Sequence, residues 1–507
     1  MWERISMKEL PVNELTQPRI SPAMSATRQA CLYGASLVLM KGTALIMLPF
    51  IAHTLTTEDL GRLELISSVA IFCSIMVGMG LEDTLFRFAA NQSKAKARTT
   101  VAAIFALSLL LAVTVVIAGL LLTPVITTMP VSIRAQEWQL ITLSIALESA
   151  IAVPLAWLRM TDKAARFFLV NAARALLQSL LIWAFVVAEF GITGILLAGF
   201  IACAMQFLLL AYWQLYDTGV RLVKSVSLRA LSYSWPIVGS GLLAFGLNGL
   251  DRWLIADVAT LADIAHYAIA AKFALACALL MQPFGMWWSA KRFQVLAQVN
   301  GASQCGHTIS LGITVLSVQT VLVSIIAPYL IALLLPPQYL AAIPFCFALI
   351  LVVYCKELVE LINIGCFVKE STQQQLWINV CATATGIVIM LLAGEQWQIW
   401  GVIAGLLGAQ LLRLVMFYLA SQRLSYIPYP EALLLFITLS CALISVGHGA
   451  MWRSASWPEM AFPWLASSVY VALTLGVLGL ANYRQKWWHW PQISQALSVI
   501  KVRLTHG

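Results

Sequence analysis

Ionisable residues stand inside the longest apolar runs of this chain: Lys41, Arg87, Arg174, Arg252, Lys272, Lys356 and Arg413, joined by Glu82, Asp83, Glu148, Asp251, Glu357 and Glu360. At the centre of a membrane helix each such charge costs about 2.5–3.5 kcal/mol on the insertion scale. Summed over the set, that cost reaches tens of kcal/mol, well above the roughly 5–15 kcal/mol of net stability that holds a protein folded. These groups therefore face one another or a wet cavity, and never lipid. Lys and Arg in a cavity bind anions, and carboxylates there can titrate with an ion. Other chemistry finds no support. The cysteines Cys31, Cys73, Cys203, Cys277, Cys305, Cys346, Cys355, Cys366, Cys381 and Cys441 are scattered without a CxxC pair, which speaks against a metal or a disulfide. The histidines His53, His266, His307, His448, His489 and His506 are dispersed, and no Walker A, HExxH or GxSxG pattern occurs.

Each charge also has a structural reading. Glu82, Asp83 and Arg87 lie close enough on one helix to neutralise one another, and Lys356 is one turn from Glu360. Asp251 and Arg252 are placed to snorkel at a span end, and Arg174 and Arg413 to reach headgroups. Lys41 and Lys272 have no acid in their own spans, which makes them the leading candidates for substrate contact.

The elements that carry these residues are helices in lipid. The 507 residues are 61% hydrophobic and 10% charged, against roughly 25% charge in soluble domains. Runs such as Leu109–Ile117 lack the alternation of a β-barrel. Breaks between apolar stretches give about fourteen spans, near 30–54, 64–88, 100–123, 138–158, 167–188, 192–213, 232–255, 265–288, 308–334, 342–366, 374–393, 399–420, 431–449 and 462–482. With the N-terminus inside, cytoplasmic segments collect 21 Lys and Arg, whereas outer loops keep only Arg62, Arg134 and Arg453. This bias predicts both termini in the cytoplasm and accounts for the net charge of +9 without a nucleic-acid partner. Residues 1–29 form a polar lead-in that lacks the features of a signal peptide, and no loop is long enough for a separate domain. Trp487, Trp488 and Trp490 read as an interfacial anchor within a cytoplasmic tail, 483–507.

A short repeat suggests two halves. Thr57-Glu58-Asp59-Leu60-Gly61-Arg62-Leu63 follows span 1, and Leu261-Ala262-Asp263-Ile264-Ala265-His266-Tyr267 follows span 7. The expected architecture is all-α, with two pseudo-symmetric six-helix lobes, 30–215 and 230–420, and an added pair of spans over 431–482. Gly78 and Gly80, and Gly239, Gly241, Gly246 and Gly249, are candidate bends; Gly401, Gly405 and Gly408 mark close helix packing.

Three blocks resemble the polysaccharide-export flippases (the Wzx-type, O-antigen group) of the multidrug/oligosaccharidyl-lipid/polysaccharide exporter superfamily. The first is Lys41-Gly42-Thr43 through Leu48-Pro49-Phe50 with the turn Leu55-Thr56-Thr57-Glu58-Asp59-Leu60-Gly61. The second is Gly78-Met79-Gly80-Leu81-Glu82-Asp83-Thr84-Leu85-Phe86-Arg87-Phe88. The third runs from Asp251-Arg252-Trp253-Leu254-Ile255 to His266-Tyr267-Ala268-Ile269-Ala270-Ala271-Lys272-Phe273. Leu60, Ala265 and Asp83 depart from the usual pattern.

The resemblance implies an alternating-access flippase for an oligosaccharide on a polyprenyl-pyrophosphate carrier, such as an O-antigen or exopolysaccharide repeat unit, in the inner membrane. It implies substrate contact by Lys41, Arg87, Arg252, Lys272 and Lys356, and coupling to protons or sodium through Asp83, Glu148 and Glu357. Membrane lipids are expected partners, as are a polymerase and other polysaccharide-assembly proteins, with no cofactor and no enzymatic step. A lipid II flippase and a cation-coupled multidrug exporter are the alternatives. The seven intramembrane cations argue against a drug exporter, whose cavity should be rich in acids and aromatics.

Overall fold

A computed structural model of the chain describes residues 26–78, 80–89, 92–128, 133–368, 373–454, 467–474 and 476. Their regular structure is helical: α1 (Ala26–Thr54), α2 (Thr57–Gly78), α3 (Leu81–Ala89), α4 (Lys94–Ile126), α5 (Ala135–Met160), α6 (Ala164–Val187), α7 (Gly191–Asp217), α8 (Lys224–Phe245) and α9 (Leu250–Val258). There follow α10 (Leu261–Leu296), α11 (Gly301–Leu334), α12 (Ala342–Ile362), α13 (Gln373–Trp397), α14 (Ile399–Leu424) and α15 (Glu431–Ser454). Twelve helical segments among the described residues are long and apolar enough to cross a membrane, counting α2–α3 and α8–α9 as one segment each; α1 adds the shorter apolar stretch Leu45–Thr54. Helices satisfy every backbone hydrogen bond within the segment, which lipid requires. The expected span over 462–482 is described only at 467–474 and 476, and the tail 483–507 lies outside the described residues.

Two boundaries move relative to the sequence expectation. Spans predicted to begin at 64 and 265 begin at Thr57 and Leu261, because the charged repeat is the first helical turn and not a loop. Thr56 Oγ1 accepts from the Asp59 N–H at 3.1 Å and donates to its carboxylate at 2.8 Å. Thr260 repeats both bonds with Asp263, at 3.2 and 2.7 Å. In each, the threonine satisfies an N–H group that a helix start leaves free, and at Thr260 the backbone N–H also donates to the Asp263 carboxylate at 3.1 Å, which closes a capping box.

The two capped helices lie side by side, starting at the same end of the bundle. A Cβ on Gly61 would stand 1.8 Å from the Leu261 carbonyl oxygen, so only glycine permits this approach. The largest buried cluster surrounds this seam and includes Leu60, Ile66, Ile264, Tyr267 and Ile269. On one side α2 packs on α5, which leads to α4 and α7, while α1 leans on α6. On the other, α10 packs on α11 and α12, and α12 on α14.

Two of the expected bends occur, whereas α8 runs through Gly239 and Gly241 without a break. The α2–α3 break has Gly80 at φ +56°, where a Cβ would meet Ile237 at 2.6 Å. The α8–α9 break spans residues 246–249, with Gly246 and Gly249 at its ends. Gly401 serves packing as expected, since a Cβ there would lie 2.1 Å from the Ala393 carbonyl oxygen.

Candidate functional site

At the seam, Glu64 of α2 gathers two cations from the other side. It is 7% exposed. Lys272 of α10 donates through Nζ to Glu64 Oε1. Arg252 of α9 approaches Glu64 Oε2 with Nε at 3.5 Å and Asp251 Oδ1 with Nη1 at 3.4 Å. Tyr267 donates its hydroxyl to Asp251 Oδ2. The chain of charges alternates, Lys272, Glu64, Arg252, Asp251, and sums to zero. Alternation is how buried ions survive, because each loses water and needs a partner of opposite sign.

A cavity of about 600 Å³ opens beside this cluster, walled by α1, α2, α5, α6, α7 and α10. That volume falls within the range of small-molecule sites, roughly 300–1,000 Å³. Glu64 and Lys272 line one wall, Glu148 and Arg174 another. Arg174 of α6 donates to Glu148 of α5 at 2.7 Å and to Gln206 of α7 at 2.9 Å, and Gln206 donates to Asn171 at 3.0 Å. Between the charges the walls are aliphatic, with Ser67 and Ser74 of α2, Ser144 of α5 and Gln178 and Ser179 of α6 interspersed. Ser67, Ser144 and Ser179 donate to carbonyls of their own helices at 2.8–2.9 Å. Their lone pairs remain able to accept from a ligand hydroxyl.

The structure brings some sequence candidates together and separates others. Arg252 and Lys272 meet on Glu64, and Glu148 shares the cavity with Lys272. Arg87 and Asp83 sit exposed on α3 and are not among the cavity-lining residues. Glu82 does not pair with Arg87, as helical spacing suggested; it meets Arg159 of α5. Lys356 of α12 donates to Asn248 at the α8–α9 break (3.0 Å), with Glu357 beside it in sequence. Glu360 meets Arg413 of α14 at 3.4 Å. Lys41 lies in α1, and its side chain is outside the described residues. Asp251 is buried at 5% exposure and does not snorkel, because Tyr267 and Arg252 both bind it inside the bundle. Arg174 and Arg413 also find carboxylate partners within the bundle.

Glu64, Gln206 and Asn171 are the polar residues that the sequence did not single out. Glu64 falls on the first residue of the span expected at 64–88, so it reads as a boundary charge; the Thr56–Asp59 capping pattern was the available signal. Gln206 and Asn171 carry no charge, and only the α6–α7 contact makes them a pair. Among the described residues no cluster of His, Cys, Asp or Glu suits a metal ion, and the nine described cysteines are free.

The chain belongs to the family described as Polysaccharide biosynthesis protein, whose family model matches residues 26–288, just over half its length. Its fold is similar to that of the lipid II flippase MurJ in an inward closed conformation, with TM-score 0.68 and 12% identity over 90% of this chain and 99% of that one. It is also similar to the Vibrio cholerae MATE transporter VcmN, with TM-score 0.56 and 14% identity over 78% and 95% of the two chains. A multidrug resistance MATE family transporter of the MOP superfamily, outward-facing, gives TM-score 0.53 and 16% identity over 78% and 96%. No curated protein matches the chain. The protein is thus a multi-pass membrane protein of the polysaccharide biosynthesis family with a transporter fold.

Proposed function

We propose that this protein is a flippase that carries a polyprenyl-pyrophosphate-linked oligosaccharide across the inner membrane by alternating access. The observation that carries this reading is the cavity where Lys272 and Arg174 each meet a carboxylate from another helix, amid hydroxyl-bearing aliphatic walls. Serine hydroxyls suit sugars, and Lys and Arg suit a diphosphate through charge-assisted hydrogen bonds. The aliphatic lining tolerates the first units of a polyprenyl chain.

The pairing refines the role of the cations. An anion reaching Lys272 competes with Glu64, and protonating Glu64 releases Lys272 for the anion while Asp251 still compensates Arg252. Glu64 thereby joins Asp83, Glu148 and Glu357 as a carboxylate proposed to couple transport to protons or sodium. Lys41, Arg87, Arg252, Lys272 and Lys356 retain their proposed part in guiding the pyrophosphate. In this reading the lobes are 30–215 and 230–420 and meet along the α2–α10 seam, with the pair over 431–482 outside them. Both termini are cytoplasmic, and assembly enzymes such as a polymerase act on the delivered glycan.

Complementation tests the proposal. The chain expressed in a strain lacking its repeat-unit flippase should restore surface glycan, and an Arg174→Ala variant of equal membrane abundance should not. Failure of the wild-type chain, with rescue of a strain depleted of its lipid II flippase, would transfer the assignment to lipid II.

A further inference from the structure

We propose that a second cavity, at the opposite end of the bundle from Glu64, holds the phosphate of a membrane lipid. It measures about 370 Å³ and lies between α3, α4, α5 and the C-terminal end of α7. Arg98 of α4, Trp157 of α5, Lys163 and Asp217 line it, with Ala97 and Met160 as apolar wall.

Three observations point to an anion. Lys163 is bound to Asp217, whereas Arg98 is exposed and has no carboxylate partner among the described residues. Trp157 is 8% exposed, yet its indole N–H has no acceptor. A buried donor without a partner costs about 1–3 kcal/mol, so an acceptor there is worth having. Thirdly, α4 starts here without a side-chain cap from Ser93 and without an acid in its first turn. Lys96 and Arg98 follow instead, although the positive end of a helix dipole disfavours cations. One anion bound in the cavity would pair with Arg98, accept from Trp157 and offset the positive end of α4.

The position makes a membrane lipid the source of that anion. Arg159, Arg166, Lys224 and Arg229 belong to the same end of the bundle, and the α7–α8 connector brings Arg221 alongside α4 through its N–H to the Ala102 carbonyl at 3.4 Å. In the proposed topology this end is cytoplasmic, where basic pockets between membrane helices recognise lipid headgroups. The volume, near the lower end of ligand sites, suits a phosphodiester and its glycerol and is small for a glycan. This site does not depend on what the larger cavity carries.

The test uses the purified full-length protein in neutral detergent, with phosphatidylglycerol, undecaprenyl phosphate or phosphatidylcholine added. Phosphatidylglycerol should raise the melting temperature by about 2–4 °C, and native mass spectrometry should show one retained lipid; phosphatidylcholine should do neither. Arg98→Gln should abolish the shift. Trp157→Phe should melt at or above the wild-type temperature without lipid, because an unpaired donor is gone, and should lose at least half of the lipid-induced shift. A larger shift with undecaprenyl phosphate that also needs Arg98 supports the site and names the carrier as its source. Equal shifts from phosphatidylcholine and phosphatidylglycerol, or shifts that survive both substitutions, overturn the proposal.

Discussion

Lys272 on α10 donates to Glu64 on α2 across 208 residues of sequence, and the same carboxylate receives Arg252 of α9. The pair ties together two helices that start side by side, and it forms part of the wall of the larger cavity. One contact therefore joins the packing of the seam to the lining of the cavity. In the proposed function, an anion bound at Lys272 would weaken the link between α2 and α10 and so have differential affinity for two arrangements of the helices.

A double-mutant cycle measures that link. Glu64→Gln and Lys272→Gln should each destabilise the protein in detergent, by about 1–3 kcal/mol, since each leaves a buried polar group short of a partner. The double variant should lose less than the sum of the two, with a coupling of about 0.5–3 kcal/mol. Additive losses in unfolding experiments would remove the pair from the account of the seam.

Gly61 sets the spacing of the same two helices. Gly61→Ala should cost about 1–3 kcal/mol through overpacking against the Leu261 carbonyl. Gly239→Ala is the control, because a Cβ at Gly239 meets nothing within 4 Å. Thermal unfolding of both variants in one detergent checks the contrast, and equal losses would show that the approach at Gly61 is not limiting.

Exchange between Glu64 and a bound anion has a definite sign with pH. The protonated carboxyl leaves Lys272 free, so a pyrophosphate diester, which keeps its full charge across neutral pH, should bind more tightly as pH falls, by at most about tenfold per pH unit for one linked proton. In Glu64→Gln the amide carries no charge at any pH, and the profile should flatten at the high-affinity level. Arg252 with Asp251, and Lys272 itself, are the charged groups facing Glu64, and Tyr267 stands behind Asp251. Calorimetric titration across pH 5.5–8.5 reads this out. A slope that persists in Glu64→Gln assigns the proton to another group.

Orientation is open to reporter fusions. A cytoplasm-active reporter after Gly507 should work, and one inserted in the 123–137 segment should fail. The reverse pattern would place the basic loops on the outer face and overturn the topology.

What the sequence determined is local. Long runs nearly without charge demanded helices in lipid, because a chain with 10% charged residues cannot cover itself with polar surface. Glycines marked the α2–α3 and α8–α9 breaks, since they tolerate backbone conformations and close approaches that other residues resist. The repeated turn before Gly61 and Ala265 pointed to matching helix starts, and at both a threonine accepts from the N–H of the aspartate three residues on. Which charge meets which was decided only by the tertiary structure. Helical spacing offered Glu82 to Arg87; instead Arg159 takes Glu82 from a neighbouring helix. Lys272 looked unpaired because its own span holds no acid, and its partner lies on a helix 208 residues earlier. Periodicity reports the face of a helix a residue occupies, but an ion pair depends on which two faces meet, at what height, and within reach of two long side chains. Those quantities exist only once α2 and α10 pack together.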